Sequence, residues 1–222
     1  VINTCTVTNL SDRKSRQFIR KAKRMNEDSI IAVVGCYSQV SPEEVEGIDG
    51  VDVIIGTSDR KRIVELCEKS KEINEKINIV KSIKTYKEFE KINIEDIKSK
   101  TRGNIKIQDG CNQFCSYCII PYARGPIRSR DLDDIVSETI KLANAGFKEL
   151  VLTGIHVASY GKDSSKLSLN EVIKAIGKVD GIERIRLSSL EPTIIDENFM
   201  KSIVEIKKVC DHFHLSLQSG SN

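Results

Sequence analysis

"QDGCNQFCSYCIIPYARGPIRSR", residues 108–130, packs three cysteines into eight positions and follows them with three arginines. Just before it, "NIKIQDG" alternates apolar and polar residues as a strand does. Just after it, "RDLDDIVSETIKLANAG" has helical periodicity, with Gly146 near its end. The cysteines therefore sit on a loop at the carboxyl end of a strand. Further on, "KELVLTG" (148–154) reads as a strand and "LSLNEVIKAIGK" (167–178) as a helix, with Ser168 and Glu171 spaced as a capping box. "ERIRLSSLEP", "DENFMKSIVEIKK" and "HFHLSLQSG" add a strand, a helix and a strand. Four strands alternating with three helices predict the first part of a parallel β/α barrel over 103–222, incomplete at its carboxyl end.

The first 69 residues repeat the alternation in shorter units. "VINTC" is a strand, Ser11 to Met25 a helix, and "SIIAVVGC" a second strand. "SPEE" then signals a helix start, with Ser41 as N-cap, Pro42 at the first helical position and Glu44 completing a capping box. "GVDVIIG" is a third strand, and Ser58 is placed to cap the helix "DRKRIVELCEK". The expected fold class is α/β: a small parallel α/β domain over 1–69, its first unit missing, and then the barrel. Residues 70–102 show no clean period and are expected to be a linker.

With 39% hydrophobic and 30% charged residues the chain has the composition of a soluble globular protein. A net charge of only +3 does not announce a nucleic-acid binder, so any basic surface must be local. The longest apolar run, "IIAVV", is too short to span a bilayer, and no secretory signal opens the chain. Seven cysteines without such a signal point to reduced thiols in a cytoplasmic protein, and so to metal chemistry.

Cys111, Cys115 and Cys118 have the spacing C-x3-C-x2-C at a strand end, where β/α barrels place their chemistry. A zinc site needs a fourth ligand, for which His156 is the nearest candidate. Three thiolates on one loop also suit three irons of a [4Fe–4S] cube, which leaves the fourth iron open to a cofactor. Cys5 and Cys36 each end a strand of the N-terminal repeat, on the edge where parallel sheets bind ligands. Two such cysteines alone are better explained by burial of a small side chain.

C-x3-C-x-aromatic-C, with Tyr117 as the aromatic, is similar to the signature of radical S-adenosylmethionine enzymes. "NTCTVT" and "GCYSQ", ahead of "KIQDGCNQFCSYCIIPYARGPIRSR", resemble the methylthiotransferase family. The resemblance implies a [4Fe–4S] cluster on Cys111, Cys115 and Cys118, whose open iron binds S-adenosyl-L-methionine. It implies a second [4Fe–4S] cluster on Cys5 and Cys36, with a third ligand upstream of Val1. It suggests Tyr117, Gly154, Glu191 and Gln218 as contacts of the S-adenosylmethionine. "NTCTVT", "GCYSQ", "LTGIHVASYGKD" and "RIRLSSLEP" resemble the branch that adds a methylthio group to threonylcarbamoyladenosine beside the tRNA anticodon. The alternatives are a methylthiotransferase for isopentenyladenosine in tRNA or for a ribosomal protein, and a non-catalytic metal-binding module. The implied partners are tRNA and a reducing electron donor, with no membrane.

Among the remaining residues, Cys67 falls on the apolar side of its helix with Ile63 and Val64, and Cys210 has no partner in sequence; both read as structural. His212 and His214 share a strand face and carry no assigned chemistry. Arg124, Arg128 and Arg130 suit phosphate or carboxylate, or serve as ordinary surface charge. At helical spacing Arg13, Arg16, Arg20 and Arg24 share a face, opposite Phe18, Ala22 and Met25.

Overall fold

The computed structural model describes residues 1–91, 101–163 and 167–221. They form two compact units, one of Val1–Ile92 with Asn112–Pro126 and one of Asn93–Cys111 with Ile127–Asn222.

In the first unit β1 (Ile2–Thr4), β2 (Ala32–Gly35), β3 (Val53–Ile54) and β4 (Ile77–Asn78) form a parallel sheet in sequence order. Side chains alternate across it. Val33 and Ile54 pack with Ile19 of α1 (Asn9–Met25) and with Tyr37 of α2 (Cys36–Val40) and Val45 of α3 (Pro42–Glu46). Ala32, Val34, Val53 and Ile55 pack with Leu66 of α4 (Ile63–Ile73) on the opposite face. Both faces are covered, which is why "IIAVV" is continuously apolar rather than alternating. Each fully buried Val or Ile contributes roughly 1.5–3 kcal/mol. The short helix α5 (Ile120–Arg124) belongs to this unit, where the Thr57 hydroxyl donates to the Ala123 carbonyl at 2.9 Å.

Several local expectations need correction. The segment expected to be a linker from residue 70 instead begins inside α4 and supplies β4; Ile77, Ile79 and Val80 find apolar partners on the sheet. Its remainder over 92–100 lies outside the described residues. The helix expected from Ser11 starts earlier: Thr8 is its N-cap, accepting from the Ser11 amide at 3.2 Å. Ser41 makes no side-chain cap: it also closes α2, its amide donating to the Tyr37 carbonyl at 2.9 Å, and the Glu44 carboxylate of the expected capping box accepts instead from the Tyr37 hydroxyl at 2.9 Å. Ser58 does not cap α4, which is entered through a 3-10 turn over Arg60–Arg62 behind Asp59 in a left-handed conformation.

The second unit holds β5 (Arg102–Asp109), β6 (Arg128–Ser129), β7 (Glu149–Gly154) and β8 (Arg184–Leu187), in the order β6-β5-β7-β8. β5, β7 and β8 are parallel, while β6 pairs antiparallel with the end of β5. Helices α6 (Leu132–Asn144), α7 (Leu169–Gly177) and α8 (Glu197–Val204) supply Ile135, Val172, Ile173, Ile176, Phe199 and Ile203 to a core shared with Ile105, Ile107, Leu150, Leu152 and Ile185. This is the opening half of a β/α barrel. Ser168 and Glu171 form the expected capping box on α7. "HFHLSLQSG" is not a strand: it makes only a single parallel bridge, Leu190 to Leu215. Leu215 and Leu217 stay 42% and 65% exposed, so burial does not fix a register there.

At the amino-terminal ends of these strands, buried Glu149 receives three guanidinium groups. Arg184 and Arg186 donate at 2.9 and 3.1 Å, and Arg102 lies at 2.6 Å. The Arg184 hydrogen bond, helped by Arg186 and Arg102, outweighs burial and holds the Glu149 carboxyl at about 2. It staples β5, β7 and β8 at the end opposite the cysteines.

Candidate functional site

The sequence "QDG" ends β5 and builds the takeoff of the cysteine loop. Gln108 is fully buried. Its side-chain amide donates to the Asp109 and Gly110 carbonyls at 2.8 and 2.7 Å and accepts from the His156 backbone amide at 2.8 Å. The end of β5 is thereby tied to the loop after β7, next to Gly154, which pairs in register with Gln108. A Cβ on Gly154 would lie 3.0 Å from the side-chain Oε1 of Gln108, so that amide fills the space that glycine leaves.

Asp109 is buried as well. Its carboxylate accepts from the Gly110 amide at 2.9 Å, lies 2.6 Å from the Lys106 ammonium and 3.6 Å from the guanidinium of Arg128, which is only 3% exposed. A buried carboxylate is tolerable only with such partners. Gly110 has φ +75°, a left-handed turn open to glycine, and the chain then passes into Cys111.

Cys111 is buried, Cys118 half-buried and Cys115 exposed; all three are free thiols. The Cys118 amide donates to the Cys115 carbonyl at 2.9 Å, closing a turn between them. Phe114, between the first two cysteines, has φ +49°, a costly conformation for a bulky residue. In the first unit Thr4 pairs with Gly35, so Cys5 and Cys36 are the next residues of two adjacent strands, at one carboxyl edge. Cys36 is buried and Cys5 exposed. Gly35 makes this approach possible: its φ is +107°, and a Cβ there would stand 2.4 Å from the Thr4 carbonyl. Among the described residues no three Cys, His, Asp or Glu side chains are gathered in the arrangement of a metal site. The donor set is nonetheless right for iron–sulfur chemistry: free thiols, in a triad on one loop and a pair on one sheet edge.

Chain regions 105–222 and 1–56 match two family descriptions, "Radical SAM superfamily" and "Uncharacterized protein family UPF0004" respectively. The chain belongs to the radical SAM superfamily. Among curated relatives it is 43% identical, over its whole length, to the threonylcarbamoyladenosine tRNA methylthiotransferase MtaB of Bacillus subtilis (strain 168). It is 44% identical to the protein of the same name from Aquifex aeolicus (strain VF5). A tRNA-2-methylthio-N(6)-dimethylallyladenosine synthase of Alkaliphilus oremlandii (strain OhILAs) is 39% identical. The chain spans 49%, 54% and 48% of these relatives, about half of each. Among solved structures, the radical S-adenosylmethionine methyltransferase TsrM from Kitasatospora setae, with cobalamin and a [4Fe–4S] cluster bound, superposes with a TM-score of 0.61. It is 18% identical over 94% of this chain and 47% of that one, a likeness that bears on the fold.

The other residues of this radical SAM chain fall as follows. Tyr117 is 78% exposed, and Gly154 ends β7. His156 and Glu191, each just past a strand end, are partners, with Nε2 and Oε2 2.9 Å apart; the other ring nitrogen of His156 meets the Ser159 hydroxyl. The sequence placed both residues near the site but not their pairing, since 35 positions separate them. Gln218 is exposed, with φ +67°.

The arginines after the cysteine loop do not form a free basic surface. Arg128 is buried against Asp109, and Arg130 pairs with Glu138. On α1, Arg16 turns inward to the Tyr37 ring and hydroxyl, while Phe18 and Met25 are exposed. The buried stripe is centred on Ile19 and Ala22, narrower than the periodicity suggested. Val64 is exposed, whereas Cys67 packs beside Leu66 and burial pushes its thiol up. Cys210 bonds through its backbone to Ile185, and His214 lies by the Ser189 hydroxyl. Gln108, Asp109 and the Phe114 conformation went unread. "QDG" at a strand end was the available signal for the first two.

Proposed function

We propose that this chain is the catalytic part of a tRNA methylthiotransferase that adds a methylthio group to C2 of N6-threonylcarbamoyladenosine next to the anticodon. One observation carries the reading: identity of 43–44% over the whole chain to two relatives of that name, across both the N-terminal sheet and the barrel strands. In this reading Cys111, Cys115 and Cys118 hold a [4Fe–4S] cluster. Cys5 and Cys36 contribute two of three thiolates to a second one. Tyr117, Gly154, Glu191 and Gln218 contact S-adenosylmethionine. When bound, such a cluster and its cofactor supply hydrogen-atom abstraction from an unactivated carbon.

The chain's own residues supply position and exclusion. Gln108 and Asp109 fix the backbone from which Cys111 projects, and Gly154 lets the second strand end approach closely. Cys36 lies buried at the start of α2, away from solvent. A reducing electron donor and tRNA are the partners, and the cytoplasm the compartment. No helix among the described residues is long and apolar enough to cross a membrane.

The test uses the full-length protein in a bacterial host lacking its own tRNA methylthiotransferases, with tRNA nucleosides weighed by mass spectrometry. A methylthio group on threonylcarbamoyladenosine is the expected product. Modification of dimethylallyladenosine instead, as the name of the 39% identical relative describes, would reassign the substrate.

A further inference from the structure

A cavity of roughly 1070 Å³ opens in the first unit, beyond the carboxyl edge of its sheet. Gln39 frames it: its amide donates to the Lys81 carbonyl at 2.9 Å and accepts from the Thr57 amide at 3.1 Å. Those bonds tie α2 to the segment after β4 and hold the wall rigid. The opposite wall is made by the cysteine loop and α5, where the Phe114 and Tyr122 rings meet edge to face, with centroids 5.7 Å apart and planes at 83°. Both rings remain nearly 60% exposed, an unusual state for two adjoining aromatics unless something covers them. Phe114 is held there despite its left-handed backbone, and the edge-on contact with Tyr122 fixes its ring.

The ionic character of the cavity narrows its occupant. Lys81 and Lys84 line it, both exposed, with no side-chain partner among the described residues, and Glu43 is the carboxylate on the opposite lip. Flat aromatic faces beside unpaired ammonium groups are the pattern by which proteins hold unstacked bases of single-stranded loops, the ring taking the base and the cation its phosphate. A carboxylate in the same space accepts from an exocyclic amine. The volume is at the upper end for a small-molecule site and is ample for a nucleotide.

We propose that this cavity receives an unstacked base of an RNA loop, stacked against the Phe114–Tyr122 pair with flanking phosphates on Lys81 and Lys84. The inference rests on the reading of the protein as a tRNA-modifying enzyme, and it assigns this cavity to a loop base other than the one modified.

The test titrates the full-length protein with an anticodon stem-loop and with the same stem closed as a plain duplex, at several salt concentrations. Tyr122→Ala is expected to weaken stem-loop binding about tenfold or more and to leave duplex binding unchanged. The paired substitution Lys81→Ala/Lys84→Ala is expected to flatten the dependence of log affinity on log salt by about 1.4, the share of two single-strand phosphates. A measurement that needs no variant replaces loop bases one at a time by 2-aminopurine. One position other than the modified base should be quenched on binding to the wild-type protein.

Equal losses on stem-loop and duplex, or no quenched position, overturn the proposal, and the second result gives the cavity to a partner of another class. Tight stem-loop binding indifferent to all three substitutions sinks the cavity assignment while leaving the tRNA reading intact. Failure to bind any stem-loop overturns both.

Discussion

Gln108→Leu should loosen the takeoff of the cysteine loop without emptying the core. The substitution keeps nearly the same volume in a fully buried position and removes three hydrogen bonds of 2.7–2.8 Å. Left behind are the Asp109 and Gly110 carbonyls and the His156 amide. Each buried polar group without a partner costs about 1 kcal/mol at the least, so the loss should reach about 3 kcal/mol. Gln108→Glu separates the donors from the acceptor: the carboxylate can still accept from His156 but faces two carbonyls it cannot donate to. It should cost at least as much at neutral pH. The assay is thermal unfolding of the apoprotein, with amide hydrogen exchange followed at residues 108–111 and 154–157. Faster exchange is expected at both strand ends together, because one side chain bridges them. Unchanged exchange and unfolding in Gln108→Leu would refute the claim that this amide holds the loop.

Three further outcomes follow from the same geometry. Glu149→Gln should destabilise the barrel unit at pH 7 by about 1–2 kcal/mol, once screening at the half-exposed arginines is allowed for. Because the folded-state carboxyl is depressed from 4.5 to about 2, its stabilisation is complete above about pH 5 and fades as pH falls toward 2. Denaturation curves of wild type and variant should therefore converge on acidification, and a constant gap would contradict the three-arginine staple. Gly35→Ala should cost about 2 kcal/mol or more, from its left-handed backbone and the collision with Thr4, as read by a drop in melting temperature. Thr57→Val removes the hydroxyl that donates to Ala123, and should raise amide exchange in α5 at a cost of about 1 kcal/mol.

The alternation of strands and helices was legible because burial enforces it: both-face burial made "IIAVV" continuous, and the capping box at Ser168 announced α7. Short elements were not legible. β4 has only two residues and lies among lysines and glutamates, so period counting saw a linker where parallel pairing with β3 had created a strand. The Ser41 capping box failed because two helices abut there: the Ser41 amide closes α2 on the Tyr37 carbonyl, and Glu44 accepts from the Tyr37 hydroxyl. At the site, the positions of Cys111, Cys115, Cys118, Cys5 and Cys36 at strand ends were readable from spacing and alternation. Pairings such as His156 with Glu191 or Arg128 with Asp109 join residues 35 and 19 positions apart, and only the folded register makes them neighbours.

The most direct test of the account is single-turnover cleavage of S-adenosylmethionine by the full-length, anaerobically reconstituted protein under reduction, compared with Cys115→Ala. The account predicts 5′-deoxyadenosine from the wild type and none from the variant, with the iron loss confined to one cluster. Undiminished 5′-deoxyadenosine from Cys115→Ala would contradict the assignment of the C-x3-C-x2-C loop as the site of radical chemistry.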